Sequence, residues 1–336
     1  MRAAAAETYG EPLTVGEQPM PEIGPGDALI RVTAAGICAT DMKVIEGGLG
    51  ADPARLPLIP GHEIVGVVES VGEGVSEVAV GDAVAVHPMF SCGSCEFCLA
   101  GEEEACPTGL PNFAGLSING GYAEFVRARA DHCLPLPEGL APVEAAPLIC
   151  AGLTVYSGLK TANLGPGQRV AVIGIGGLGH LAISIAKAMG ADVIAVTGSA
   201  DKAAVARELG AIEVTGGDEA GAALQALGGA HVVLNTADAA EPLMQVVPGM
   251  RPQSTIVMTT PSVGDLLPVP TALMMGLQMR VISSFFGSRQ DLRELLDLAM
   301  EHNSRPITEV VALDDVNAAH DRLRANQVRY RSVIGF

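Results

Sequence analysis

The clearest pattern of apolar and polar positions runs from Gln168 to Gly190, "QRVAVIGIGGLGHLAISIAKAMG". A short apolar, β-branched run comes first, as a buried strand requires. Gly174, Gly176 and Gly179 follow in G-x-G-x-x-G order, with Gly177 and Leu178 inside the motif. Helical spacing then continues to Gly190, a residue suited to close a helix C-terminus. A second strand, "DVIAV" from Asp192 to Val196, comes next. Runs at "HVVLNTA", "STIVMTT" and "RVISSFF" extend the alternation of strand and helix expected of a doubly wound parallel sheet. The stretch "DEAGAALQALGGAH" has the alanine-rich spacing of a surface helix on that sheet.

A glycine motif alone says little. Set between a strand and a helix, with another strand after it, it reads as a dinucleotide-binding turn. Its glycines permit a tight turn, close approach of the backbone to a pyrophosphate, and close packing of helix on strand. The helix N-terminus then faces the phosphate charge.

Composition narrows the remaining choices. With 336 residues, 49% of them hydrophobic, the chain can bury a core in each of two domains. A formal charge of −18 and the lack of a Lys/Arg stripe exclude a nucleic-acid partner. The start, "MRAAAAETYGEPLTVGEQ", lacks the apolar core of a signal peptide. The most apolar region, Val170 to Met189, is interrupted by glycines, His180 and Lys187, so no membrane span is expected there. These features lead us to expect a cytoplasmic protein whose thiols are reduced.

In that setting the cysteines of "SCGSCEFCLAGEEEACP" point to metal. Cys92, Cys95, Cys98 and Cys106 follow a C-x2-C-x2-C-x7-C spacing, and four thiolates give zinc a closed tetrahedral shell, the mark of a structural site. The plainer alternative is four free thiols on an acidic loop, with Glu102, Glu103 and Glu104 solvated. A second ligand set is scattered: Cys38 in "AGICATDM", His62 and Glu63 in "IPGHEIVG", and Cys150 in "APLICAGLTVY". Two thiolates, an imidazole and one open or carboxylate-filled position suit a catalytic zinc. Taken singly, each of these residues also fits a buried core position.

The combination of "GICATD", "GHEIVGVVESVGEGV", "CGSCEFCLAGEEEAC", "NGGYAEFV", "CAGLTVYSGLK", "GIGGLGHLAISIAKAMGA" and "YRSVIGF" resembles the zinc-dependent alcohol dehydrogenases of the medium-chain dehydrogenase/reductase family. The likeness spans essentially the whole chain in the family's motif order. It implies an α/β protein with a GroES-like, β-rich catalytic domain over 1–152 and 288–336. A Rossmann domain over 153–287 is inserted, with the active site in the cleft. Two zinc ions per chain, a nicotinamide cofactor and a small alcohol or aldehyde substrate are implied as well.

Carried over by motif, Cys38, His62 and Cys150 match the catalytic zinc ligands, and Glu63 matches the acid that can approach the metal. Thr40 matches the hydroxyl that passes on the alcohol proton, and Asp41 the carboxylate that orients the ligand histidine. Thr154 and Arg331 sit where the family contacts the cofactor, Arg331 at the pyrophosphate. Three positions depart from the pattern. Lys43 stands where many relatives carry a relay histidine, Ala39 where a His or Arg is common, and Thr197 where an NAD-specific enzyme carries an aspartate. A threonine neither binds the ribose hydroxyls as an acid would nor repels a 2′-phosphate, and Ser199 and Lys202 stand nearby, so NADP(H) is favoured over NAD(H). The plainer reading of Ser199 is a helix cap.

By family position the substrate walls include Ile45, Leu49, the residues from His87 to Phe90, and Phe113, with His87 expected at a solvent edge. His132, Cys133 and His180 are read as structural. The strand "RVISSFFG", Arg280 to Gly287, is expected at the sheet edge, pairing across a two-fold axis to give a homo-oligomer, dimer or tetramer. Other readings within the family are a polyol or secondary-alcohol dehydrogenase and an enal or iminium reductase. From a different class, a non-catalytic zinc and nucleotide-binding redox sensor would fit the same fold.

Overall fold

Residues 1–239, 241–260, 266–267 and 269–336 are described by the computed structural model. The chain opens with strands β1 (Arg2–Ala5), β2 (Thr14–Glu17), β3 (Asp27–Gly36), β4 (Glu63–Val71), β5 (Ala83–Val86), β6 (Phe125–Arg129) and β7 (Cys133–Pro135). The next set is β8 (Arg169–Ile173), β9 (Asp192–Val196), β10 (Glu213–Thr215), β11 (Ala230–Asn235), β12 (Met250–Met258) and β13 (Arg280–Ser283), and the chain ends with β14 (Thr308–Val311) and β15 (Arg331–Gly335). Two compact units result: Met1–Cys150 with Ser288–Met300 and Pro306–Phe336, and Ala151–Gly287 with Glu301–Arg305.

In the first unit β1 and β2 form an antiparallel pair, and a larger sheet runs in the order β14-β15-β3-β4-β5-β7, with β6 also paired to β3. The central strand β3 carries the alternation of a half-buried strand: Ala28, Ile30 and Val32 are buried while Arg31 between them is exposed. Those residues join Ile64, Val68, Val84, Val86 and Tyr122 in one hydrophobic core.

The second unit is the parallel sheet read from the sequence, in the order β10-β9-β8-β11-β12-β13. That is the strand order of a dinucleotide-binding fold. Ile173, Ile194, Val233 and Ile256, from four adjacent strands, line its core. The glycine motif behaves as its chemistry requires. Gly174 has φ +82, a Cβ on Gly179 would fall 1.8 Å from the Gly174 carbonyl oxygen, and a Cβ on Gly176 would meet nothing within 4 Å. So the first glycine makes the turn, the third lets the helix Gly179–Ala188 seat on it, and the second leaves open space.

The unit boundaries depart slightly from the expected 152/153 division. Ala151 and Gly152 cluster with the second unit because the helical run carrying Cys150 continues without a break into Leu153–Thr161. Residues 301–305, expected with the catalytic domain, also cluster there: His302 to Arg305 line a cavity of about 330 Å³ with Ser184, Lys187 and Glu208. His87 is another correction. Rather than meeting solvent after β5, it is fully buried, its ring 5.9 Å from that of His132. His132 and His180 are buried too, His132 beside Asp131 at 2.8 Å and His180 Nδ1 3.0 Å from the Gly176 carbonyl. Cys133 is buried in β7. Among the described residues, one helical stretch is long and apolar enough to cross a membrane, Pro142–Thr161 rather than the glycine-broken run considered above, and 78% of it is buried inside the protein.

Candidate active site and metal centres

Four side chains of ligand type converge in the first unit. Cys38, His62, Glu63 and Cys150 each offer one ligand atom, all within 4.8 Å of one another. Cys38 follows the end of β3 and caps the helix Ala39–Ile45. His62 and Glu63 lie where a turn at Gly61, φ +95, delivers the chain into β4. Cys150 sits in a π-helical turn, Leu148–Gly152, inserted between two α-helical segments. Such turns re-aim one side chain within an otherwise regular helix and recur at functional sites.

Glycine makes room for the acid. Gly36 pairs with Glu63 across β3 and β4, and a Cβ there would lie 1.9 Å from Glu63 Oε2. The Glu63 carboxylate is wholly buried; Arg331 Nη2 donates to Oε1, while Oε2 has no hydrogen-bond partner. Burial pushes Glu63 up to about 7, against the pull of Arg331. A buried carboxylate oxygen without a hydrogen-bond partner, beside two thiols and an imidazole, is a donor set that fits zinc. Arg331, expected at a pyrophosphate, is itself 5% exposed and engaged with Glu63, a contact its position in the sequence did not disclose.

Asp41 completes this site. It is fully buried, and both of its oxygens are engaged twice. Oδ1 lies 2.7 Å from His62 Nδ1 and accepts from the Gly61 N–H at 3.2 Å. Oδ2 accepts from the Cys38 N–H and the Tyr122 hydroxyl, both at 3.1 Å. With a carboxylate acceptor facing Nδ1, His62 places an N–H there, and Nε2 is the ring nitrogen that would be offered to a metal. Thr40 and Lys43, three residues apart on the same helix, are both half-buried. Ala39 beside them is exposed.

The loop cysteines form the second cluster. Cys92, Cys95, Cys98 and Cys106 also bring their sulfurs within 4.8 Å of one another, with 3.9 Å between Cys92 and Cys98 and 3.5 Å between Cys95 and Cys98. A tetrahedron with Zn–S bonds of about 2.3 Å has edges of about 3.8 Å, so the spacing fits zinc. Backbone N–H groups of Ser94 and Cys95 point at Cys92 Sγ, at 3.5 and 3.3 Å, and the Ser94 hydroxyl adds to them; together they draw that thiol down to about 5. None of the seven cysteines forms a disulfide.

Of the acidic residues in that loop, Glu102 is exposed, Glu104 is half-buried with one carboxylate oxygen out of solvent, and Glu103 is not solvated. It is buried and receives a fork from Arg289, whose Nη2 and Nε reach its Oε1 at 2.7 and 3.0 Å, with the Arg289 N–H adding a bond to Oε2 at 3.1 Å. Arg289 also donates to the Asp131 carbonyl at 2.8 Å. Burial alone would raise the Glu103 carboxyl, but Arg289 prevails and holds it below the usual range. Sequence reasoning missed this clamp because its partners lie 186 residues apart. Tyr122 was missed for a similar reason, although "NGGYAEFV" had marked it as part of a motif.

In the second unit Thr154 is buried, its carbonyl accepting from the Ser284 hydroxyl at 2.8 Å. Thr197 follows the last residue of β9 and accepts from the Ser199 N–H at 3.2 Å. Ser199 caps the helix Ala200–Leu209, its hydroxyl oxygen accepting from the Lys202 N–H at 3.5 Å. The plainer reading of Ser199 therefore describes its present role, and its hydroxyl proton stays available as a donor.

Comparison with known proteins finds relatives along the whole chain. Residues 24–138 match the model of the alcohol dehydrogenase GroES-like domain, and residues 177–301 that of the zinc-binding dehydrogenases. An alcohol dehydrogenase of Geobacillus stearothermophilus is 39% identical over 339 residues, covering 99% of both chains. An NADP-dependent alcohol dehydrogenase C 1 of Mycolicibacterium smegmatis is 35% identical, covering 99% of this chain and 97% of its own. Among solved structures, an NAD-dependent alcohol dehydrogenase superimposes with a TM-score of 0.92 at 31% identity, covering 100% of both chains.

The clamp on the cysteine loop predicts a pH-dependent stability difference. A carboxyl held below its usual range stabilises the fold above that range, and the contribution is lost as pH falls through the lowered value. Glu103→Gln should cost about 2 kcal/mol at neutral pH, and in urea melts its gap from the wild type should close as the medium is acidified below about pH 4. A gap independent of pH would show that the charge on Glu103 does not matter.

Proposed function

The chain belongs to the zinc-type medium-chain alcohol dehydrogenases, and on that premise we propose how its residues interconvert a small alcohol and its aldehyde or ketone. The observation that carries the reading is the buried Cys38–His62–Glu63–Cys150 cluster with an unpaired Glu63 Oε2. When bound, zinc supplies Lewis acidity at the substrate oxygen and a nicotinamide cofactor supplies the hydride acceptor or donor. Cys38, His62 and Cys150 hold the catalytic metal. Asp41 orients His62, and Glu63, held by Arg331, would offer the metal a carboxylate in the fourth position. The loop cysteines hold a second zinc that braces the fold.

Thr40 receives the hydroxyl proton of the alcohol and hands it on, either to Lys43, three residues further along the same helix, or out through the cofactor ribose and water. Gly174, Gly176, Gly177, Leu178 and Gly179 cradle the pyrophosphate, and Thr154 contacts the cofactor. NADP(H) is the favoured cofactor. Thr197 offers no carboxylate against a 2′-phosphate, and Lys202 and the Ser199 hydroxyl are suited to greet one. Ile45 and Phe113, both buried and apolar, stand among the proposed substrate walls, while Leu49 is exposed. We place the protein in the cytoplasm, whose reducing conditions leave clustered cysteines free to bind metal. A homo-oligomer, dimer or tetramer, forms through β13: the strand is at the edge of its sheet, and Phe285 beyond it is 49% exposed.

Absorbance at 340 nm over a panel of alcohols and aldehydes, run with both cofactors, tests this reading; NADP(H) should give the higher kcat/KM. Thr40→Ala should lower alcohol oxidation by about 10²-fold or more while zinc and cofactor remain bound. Lys43→Ala should lose most at low pH, where deprotonating the alcohol is hardest, with small amine buffers restoring part of the rate. Superimposable pH–rate curves for wild type and Lys43→Ala would remove the lysine from the proton path.

For assembly, light scattering of the wild type at micromolar concentration should report a multiple of the chain mass, and Phe285→Asp should lower it. A single-chain mass for the wild type would contradict pairing through β13.

A further inference from the structure

We propose that Tyr122 is a positioning residue of the catalytic metal site, acting through Asp41 on the aim of His62. The proposal rests on the zinc reading above and assigns a role to a side chain whose hydrogen bond reaches His62 only through Asp41. Tyr122 is among the largest wholly buried side chains of the protein. Its hydroxyl donates to Asp41 Oδ2 at 3.1 Å, and Asp41 Oδ1 lies 2.7 Å from His62 Nδ1.

An ionised carboxylate has about four lone-pair sites. Here all four are filled: by the Cys38 and Gly61 N–H groups, His62 Nδ1 and the Tyr122 hydroxyl. The two backbone donors keep Asp41 near the turn but are shared between its oxygens, one on each. The phenol is the one side-chain donor on the oxygen opposite His62, so it opposes rotation of the carboxylate that would swing Oδ1 off the imidazole.

The surroundings fix the phenol in turn. A Cβ on Gly61 would lie 2.3 Å from the Tyr122 ring, so the ring is pressed flat against the backbone that precedes His62. Three backbone bonds lock the two segments together: Gly120 N–H to the Ile59 carbonyl at 2.7 Å, Gly121 to Gly61 at 2.7 Å and Tyr122 to Pro60 at 3.0 Å. On its other side the ring stands 6.0 Å from that of His320, which is also buried. Nothing in this packing needs a hydroxyl; a phenylalanine would fill the same space. The hydroxyl is explained by the carboxylate.

Tyr122→Phe keeps the ring and removes only that bond. The test follows release of both zinc ions to a chromophoric chelator, and the visible d–d spectrum of cobalt-substituted protein, for wild type, Tyr122→Phe and Asp41→Asn. Second partners of metal-bound histidines are worth about 10–100-fold in metal affinity. Asp41→Asn should therefore speed release of one zinc by that order, and Tyr122→Phe by about 3–10-fold with a shifted cobalt spectrum, the cysteine-loop zinc being retained in both. Release kinetics and a cobalt spectrum identical to wild type in Tyr122→Phe would overturn the proposal. A wild type that binds only the loop zinc would instead sink the zinc reading beneath it.

Should Tyr122→Phe lose the loop zinc as well, misfolding is indicated, and ¹⁹F spectra of fluorotyrosine-labelled wild type decide. Substitution of Tyr9, Tyr156 and Tyr330 assigns the remaining resonance. It should move when the Cys38 site is filled; a resonance that stays put overturns the proposal.

Discussion

A carboxylate buried without water is costly unless every lone pair finds a donor. Asp41 meets that condition by drawing donors from separate parts of the chain: the exit of β3 at Cys38, the turn at Gly61 and His62, and the segment at Tyr122. These segments therefore cannot drift apart without stranding a charge. The same contacts that satisfy Asp41 bring Cys38 and His62 together and set the tautomer of the imidazole. Much of the metal site is thus a consequence of one solvation problem solved by the fold. Glu63 is the complementary case, since one of its oxygens is answered by Arg331 and the other is left without a partner. An oxygen in that position is the feature a bound cation would resolve.

Glycine is the second constraint. At Gly36 the space a Cβ would take is occupied by the Glu63 carboxylate, and at Gly61 by the Tyr122 ring. At Gly179 it is occupied by the Gly174 carbonyl of the glycine-rich turn. In each place the missing side chain lets a functional group come closer to the backbone than any other residue would allow.

Much of this was legible in the sequence, for physical reasons. The parallel sheet announced itself through short β-branched runs alternating with helical spacing, because strands buried on both faces leave a strong local signal. The loop cysteines were legible because their ligands lie within fifteen residues and their spacing is set by local turns. Cys38, His62 and Cys150 were drawn together by resemblance, since no local pattern links residues so distant. What escaped lies in contacts between remote segments: the Arg289 fork on Glu103, the single bond from Arg331 to Glu63, and the hydroxyl of Tyr122. Burial of His87 was missed as well, because a histidine following a strand carries no mark of what covers it. The boundary of the units was displaced by two residues because a helix continues through it, and no turn residue signals the crossing.

The central claim is that this chain holds two chemically different zinc sites, one all-sulfur and one mixed. Zinc K-edge X-ray absorption on metal-replete protein tests it most directly. With the two ligand sets occupied, the average shell per zinc should be about three sulfurs near 2.3 Å and about one nitrogen or oxygen near 2.0 to 2.1 Å. An all-sulfur shell at one zinc per chain would mean that only the cysteine loop binds metal, and the account of the buried Asp41 site would be wrong.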